Sequence, residues 1–119
     1  MTWQNPGQLF VAQDIIKVKI YSVAELRYIN KAFESKVRLG IMAILMVNEE
    51  ADFNFLKEQL SLTDGNLASH TRALEELGYI VCNKSFIGRK PRTVFQATAQ
   101  GREAFKSHIE ALEKFLKSK

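Results

Sequence analysis

The feature that most constrains the fold is a change of hydrophobic period at Gly78. Before it, inward-facing side chains recur at intervals of three and four, the period of a helix with one buried face: Leu67, Thr71, Leu74 and Leu77. After it, residues 79–86 and 93–98 are rich in β-branched and aromatic residues, which predicts two strands. Gly78 stands where the end of a helix favours a left-handed residue. The pattern predicts a helix followed directly by a β-hairpin.

A shorter helix is predicted just before this one. Its apolar positions are Phe53, Phe55, Leu56 and Leu60. Asp52 or Asn54 is the predicted N-cap, and the helix is expected to end around Ser61-Leu62. Thr63 follows at once as the N-cap of the second helix, so that only about three residues separate the two helices. This spacing indicates a helix-turn-helix pair.

The upstream sequence predicts two more helices. Ser22 and Glu25 have the spacing of a capping box, so a helix is expected from Val23 to near Phe33. Ser35 is the predicted N-cap of a helix from Lys36 that is buried on most sides. Residues 16–20 alternate apolar and basic side chains, as in a strand, although a helix from Phe10 fits as well. We therefore predict an N-terminal arm of uncertain structure, 1–21, and a domain, 22–119.

The last predicted helix begins at Thr98 and carries a broad apolar stripe. Gly101 in its first turn lowers the helix propensity there by an amount that the helix can tolerate. The stripe has two interpretations, as ordinary core or as the interface of a homodimer, and its members are Phe105, Ile109, Leu112, Phe115 and Leu116. The whole order of elements predicts a mainly α fold with a small β-hairpin wing, in the α+β class, that is, a winged helix-turn-helix.

Composition excludes several classes of site. Cys82 is the single cysteine and the chain has two histidines, so a disulfide framework or a structural zinc site is not expected, and no cofactor is predicted. No apolar run approaches the roughly 18 residues of a membrane span, and the first residues lack the basic stretch of a signal peptide. We expect a cytoplasmic protein without a membrane partner.

Charge is distributed unevenly along the chain. Residues 1–60 hold seven Lys/Arg and seven Asp/Glu, whereas residues 61–119 hold ten and six, so the net charge of +4 lies in the second half. The predicted hairpin carries four cations and no acid within residues 84–92: Lys84, Arg89, Lys90 and Arg92. Gly88 and Pro91 are expected to shape the turn that projects them. An anionic partner is indicated, although a solvated basic loop is the simpler alternative.

These elements fit double-stranded DNA for separate reasons. A helix fits the major groove, its N-terminus favours phosphate, and a cationic hairpin can reach the adjacent backbone or minor groove. At 100° per residue, Gly65, Ser69, Arg72 and Glu76 point away from Leu67. The predicted DNA contacts from the helix are Thr63, Gly65, Asn66, Ser69, His70 and Arg72. His70 lies at the border of this face and has two interpretations, of which packing against the preceding helix is favoured over contact with phosphate. Glu75 and Glu76 should limit the footprint to the first turns.

Residues 62–80 resemble the recognition-helix segment of ArsR- and MarR-like winged-helix transcriptional regulators, and the likeness continues through Lys84–Thr93 and residues 98–102. The resemblance implies a homodimeric regulator with the second helix and the wing on DNA and terminal helices at the dimer interface. The metal-sensing members of the ArsR group use cysteine or histidine clusters that this sequence lacks. The resemblance supplies no small-molecule effector.

The predicted function is sequence-specific binding of double-stranded DNA by a homodimeric transcriptional regulator. The alternative is a winged-helix module that binds protein, with the C-terminal stripe as its working surface. An enzyme is not expected, because no nucleophile, base and orienting group can be identified. Cys82 allows a redox switch as a hypothesis, but a lone cysteine in a strand is more often a packing residue.

Overall fold

The computed structural model describes residues 29–117. Its helices and strands are, in chain order, a 3₁₀ turn at Lys31–Phe33, α1 at Lys36–Val47, β1 at Ala51–Asp52, α2 at Phe53–Leu60, α3 at Asp64–Glu76, β2 at Ile80–Ile87, β3 at Lys90–Ala97 and α4 at Ala99–Lys117. Residues 30–106 form one compact unit, and the described residues 107–117 belong to another. The predicted arm, 1–21, lies outside the described residues.

The segment before α1 differs from the prediction. Instead of a helix that ends near Phe33, the described part has non-helical Asn30 and then a single 3₁₀ turn. The reason is local: the Asn30 side chain accepts a hydrogen bond from the amide of Ala32, 2.8 Å away, and so caps a new turn. Residues 22–28 lie outside the described part. Ser35 caps α1 as predicted, by accepting from the amide of Arg38.

Helices α2 and α3 form the predicted pair joined by a tight turn. Asp52 is the N-cap of α2 and accepts from the amide of Phe55 at 2.7 Å. Ser61 ends α2 in the left-handed region, at φ 53°, which lets the amide of Leu62 reach the carbonyl of Lys57. Thr63 then caps α3. The chain turns between the two helices at Ser61, and the left-handed backbone conformation of this residue is strained relative to that of a glycine.

The end of α3 is joined to the start of α4. Gly78 adopts φ 78°, and the amides of Gly78 and Tyr79 return to the carbonyls of Glu75 and Leu74, which is a Schellman motif. The Thr98 hydroxyl donates to the carbonyl of Gly78 at 2.6 Å and accepts from the amide of Gly101 at 2.9 Å. One hydroxyl therefore caps α4 and holds the end of α3.

Packing explains why a glycine stands at position 101, which the sequence alone did not indicate. A Cβ at this position would overlap the backbone carbonyl of Tyr79. The first turn of α4 thus lies directly on the chain that leaves α3. The glycine, expected as a mere weakness of the helix, is what permits this close approach.

The sheet is antiparallel and has the order β1-β3-β2. Strands β2 and β3 pair from Ile80 with Ala97 to Ile87 with Lys90, so only Gly88 and Arg89 form the turn. The predicted loop of residues 87–92 was therefore too long. Gly88, at φ 63°, closes the tight turn, and Pro91 is tolerated in β3 because β1 pairs only with Phe95 and Val94 further along the strand. β1 itself was not predicted.

The core of residues 30–106 lies between α1, α2, α3 and the base of the hairpin. Its fully buried large side chains are Ile41, Met42, Leu45, Leu56, Leu67, Leu74 and Ile80. Phe33 packs on Phe105 with ring centroids 5.5 Å apart and edge to face. Helix α1 is at least partly buried on most sides, as predicted, and its exposed residues, Lys36, Ala43 and Val47, lie on one narrow face. The predicted fold class, mainly α with a β-hairpin wing, is confirmed.

Candidate nucleic-acid interface

Helix α3 separates its core side chains cleanly from its polar ones. Leu67, Thr71 and Leu74 are buried, and the Thr71 hydroxyl is satisfied by the carbonyl of Ala68 at 3.1 Å. The opposite face is exposed and contains Gly65, Asn66, Ser69, Arg72 and Glu76. The inward and outward positions predicted from Leu67 are thus confirmed, except for Leu77, which was expected to face inward but is 45% exposed at the C-cap of the helix. A Cβ added to Gly65 would meet no protein atom within 4 Å, so the space above the first turn is open.

The N-terminus of α3 is capped and its charge is balanced from α2. Thr63 Oγ1 accepts from the amide of Asn66 at 3.2 Å. Asp64 in the first turn pairs with Lys57, with Nζ 2.8 Å from Oδ1. An unpaired carboxylate there would repel a phosphate, and Lys57 offsets that repulsion. Lys57 was not among the predicted site residues, although its spacing of seven residues from Asp64 across a tight turn is compatible with such a pair.

His70 is held from α1. The Nε of Arg38 donates to Nδ1 of His70 over 3.3 Å, so the neutral ring carries its proton on Nε2. The side chain is partly buried rather than free on the outer face. Of its two predicted roles, packing against the neighbouring helix is supported by this hydrogen bond, and contact with phosphate stays a prediction. Arg38 was not among the predicted site residues, and nothing in its spacing signals the contact.

The wing cations fall into two groups. Lys84, Arg89 and Lys90 are exposed around the end of the hairpin. Arg92 instead lies 3.5 Å from Glu50, the acid just before β1, and its side chain is about one-third exposed, at 35%. Part of its charge is therefore offset within the protein. Glu50 was missed because β1, which brings it beside β3, was not predicted.

A groove of about 250 Å³ runs between α3 and the hairpin. Arg72 and Glu75 line it from the helix, and Cys82 and Lys84 line it from β2. Burial, and then the negative charge of Glu75, raise the pKa of the Cys82 thiol, against a smaller opposing influence of Lys84. A raised pKa keeps the sulfur protonated at neutral pH, which weakens the redox-switch hypothesis.

Within residues 29–117, no group of three or more His, Cys, Asp and Glu side chains is arranged to hold a metal ion. No helix in the same part of the chain is both long and apolar enough to cross a membrane.

The chain matches the winged helix DNA-binding domain family over residues 37–116, which includes α2, α3 and the whole hairpin. The chain belongs to this family. An uncharacterised protein of Methanocaldococcus jannaschii is 47% identical over 79 residues, which cover 66% of this chain and 86% of that protein. The predicted membership of the winged-helix regulators is thereby confirmed, and the family and fold are of the transcriptional-regulator type.

Solved structures agree with this membership of the winged-helix family. A transcriptional regulator homologue from Pyrococcus horikoshii OT3 is 38% identical, covers 78% of this chain and 94% of its own, and superposes with a TM-score of 0.72. A transcriptional regulator from Thermotoga maritima has a TM-score of 0.60 at 18% identity, and the match covers 95% of this chain and 77% of that one. The second likeness concerns the fold alone.

The predicted dimerisation residues are distributed unevenly over α4. Phe105 packs on Phe33 inside its own unit. Ile109, Leu112 and Phe115 are half-buried, and Leu116 is 61% exposed. His108 and Ala111 mark the buried side of the same helix. Neither interpretation of the stripe is tested by these placements, and its role in dimerisation stays a prediction.

Proposed function

We propose that this DNA-binding regulator acts as a homodimer that reads double-stranded DNA with α3 in the major groove and the wing on the backbone or minor groove. The observation that carries the proposal is the exposed face of α3, whose first two turns are polar and open while its other face is buried. An amide and a guanidinium on such a face can pair bidentately with base edges. Asn66, Ser69 and Arg72 supply the reading groups.

The cations of the wing supply affinity that is independent of sequence. Lys84, Arg89 and Lys90 are exposed and lie beyond the core, where they can neutralise phosphates. Thr63 and His70 border the helix face and are proposed to contact phosphate. Arg92 contributes less because of its ion pair with Glu50.

The test compares three single cation removals in the full chain. Arg72→Ala should lower affinity for a duplex selected from a random pool by about 1–3 kcal/mol and relax specificity at one position. Arg89→Ala should weaken binding evenly across sequences and reduce the salt slope by about one. Lys106→Ala removes the same charge from an exposed site on α4 and is the control. Wild-type affinity that does not fall between about 50 and 200 mM salt would contradict DNA binding through phosphates.

Dimerisation is tested separately. On a helix of 100° per residue, Ile109, Leu112 and Leu116 lie within about 60° of one another and form one apolar stripe. Leu116→Glu should shift the protein from dimer to monomer in sedimentation, and two recognition helices should read half-sites roughly 34 Å apart. A wild-type monomer at micromolar concentration would contradict the dimer. A protein partner bound in place of DNA would favour the interaction-module alternative.

A further inference from the structure

The end of the wing exposes two large apolar side chains. Phe86 is 72% exposed and its neighbour Ile87 is 65% exposed, at the end of β2 just before Gly88. Pro91 stands directly opposite Phe86 in the strand register and is also exposed. We call Phe86, Ile87 and Pro91 the apolar tip. Single exposed apolar residues are ordinary, but a cluster of them at the end of a projecting hairpin marks a contact surface.

The apolar tip is surrounded by positive charge. Arg89 and Lys90 are its immediate neighbours, and both are exposed. Lys84 lies two residues before Phe86 and therefore on the same face of the strand. No acid occurs within residues 84–92. The surface that this tip fits must therefore be anionic around its edge and apolar inside.

The minor groove of duplex DNA has this chemistry, because phosphates line both edges while sugar faces and the base stack lie within. We propose that Phe86 and Ile87 enter the minor groove as an apolar wedge, with Arg89 and Lys90 on the flanking phosphates. The inference rests on the proposed function, since it requires that the wing meets duplex DNA, and it adds a mechanical role for the wing.

The dimensions imply that the wedge deforms the duplex. The backbones of a two-stranded hairpin lie about 4.7–4.9 Å apart before any side chain is added, whereas the minor groove of B-form DNA is about 6 Å wide. Phe86 and Ile87 point to opposite faces of β2, so together they are wider than the groove. Apolar wedges at such sites partly unstack a base step and kink the duplex toward the major groove by about 20–90°.

A wedge of this kind selects sequence without touching base edges. Pyrimidine–purine steps such as TA unstack easily, whereas A-tracts are stiff and narrow in the minor groove. The wing therefore favours duplexes with a deformable step at its position. This selectivity comes from DNA stiffness and is separate from base reading by α3.

The experiment uses the full chain and a duplex that the wild type selects from a random pool, with the wing position located by footprinting. One version of the duplex carries a TA step with 2-aminopurine there, and a second carries an A-tract. The test variant is Phe86→Thr with Ile87→Thr, since threonine keeps a strand preference. Phe86→Leu retains an apolar side chain, and Val81→Ala removes exposed apolar surface at the base of β2 as the control.

The wild type, Phe86→Leu and Val81→Ala should bend the TA duplex and raise its 2-aminopurine fluorescence. The double variant should lose both signals, bind the TA duplex about tenfold more weakly and bind the A-tract duplex within about twofold of the wild type. Energy transfer between end-labelled duplexes measures the bend.

A wild type that binds tightly to straight, fully stacked DNA would overturn the wedge and leave the proposed function standing. Equal losses in Val81→Ala and the double variant would overturn it as well. If the double variant instead loses self-association while still bending DNA, the apolar tip is a protein contact and the proposal is wrong. A wild type that binds no duplex removes the proposed function and the wedge together.

Discussion

Helix α3 and the wing are neighbours in sequence, yet they are held in place by different means. α3 places Leu67, Thr71 and Leu74 in the core and is capped at both ends. The outer half of the hairpin, residues 83–91, has every side chain exposed. The conformation of this outer half is held by the pairing of β2 with β3 and by the tight turn at Gly88. The helix is thus fixed by burial, and the wing is fixed by hydrogen bonds.

This difference matches what each region does in the proposed mode of DNA binding. Reading base edges needs donors and acceptors held to a fraction of an ångström, which a packed helix provides. Following a backbone or a groove tolerates adjustment, and segments with few buried contacts open and shift most easily. In the proposed mode of binding, specificity from base edges and adaptation to DNA shape are therefore assigned to different elements within one short stretch of chain.

The largest effect on stability is expected from truncation of a core side chain of α3. Leu67→Ala should lower the free energy of unfolding by about 2–5 kcal/mol, because its side chain is fully buried. Ile87→Ala should change it by less than about 0.5 kcal/mol, since most of that side chain is already in water. Chemical denaturation measures both changes in the free energy of unfolding, provided that the m-value of each variant equals that of the wild type. Similar losses for the two variants would show that the wing is as firmly packed as the helix.

A smaller effect is expected at the N-cap of α3. Thr63→Ala should destabilise the protein by about 1 kcal/mol, because the amide of Asn66 loses its acceptor. Thr63→Ser keeps the hydroxyl and should retain most of the stability. Hydrogen exchange at Asn66 reports the same change locally. A serine variant as unstable as the alanine variant would mean that the threonine methyl group, rather than the cap, is what matters.

Sequence patterns predicted the regions where a local rule suffices. The N-caps at Ser35, Thr63 and Thr98 follow from side-chain chemistry within three residues, and the two faces of α3 follow from its period. The helix predicted up to Phe33 failed at Asn30, where a competing side-chain cap was decisive. Local sequence patterns such as caps and hydrophobic periods therefore predict the structure correctly, except where two of them conflict.

What could not be predicted depends on chain segments that are far apart. The two-residue strand β1 is too short to have a pattern of its own and exists because β3 pairs with it. The contact of Glu50 with Arg92 follows from that pairing, and the contact of Arg38 with His70 follows from the packing of α1 against α3. The cations of the wing could be identified from their residue types, but no sequence pattern indicates which of them forms an ion pair with an acid.

Gly65→Ala should separate the stability of α3 from its binding to DNA. A Cβ there meets nothing in the protein, so alanine should stabilise α3 by about 0.5–1 kcal/mol. If the backbone of the first turn approaches DNA, the same methyl group should weaken binding. Thermal unfolding and duplex affinity are measured on one preparation. A variant that gains stability and keeps full affinity would remove Gly65 from the interface.

The smallest effect concerns the one wing cation with a protein partner in the described chain. Glu50→Gln should release Arg92, raise duplex affinity by less than about 1 kcal/mol and steepen its salt dependence by about one phosphate contact. Glu49→Gln is the matched control, because it removes the same charge from the adjacent exposed position. If both variants gain affinity equally, only the overall charge matters. A gain confined to Glu50→Gln means that an intramolecular ion pair limits the contact of the wing with phosphate.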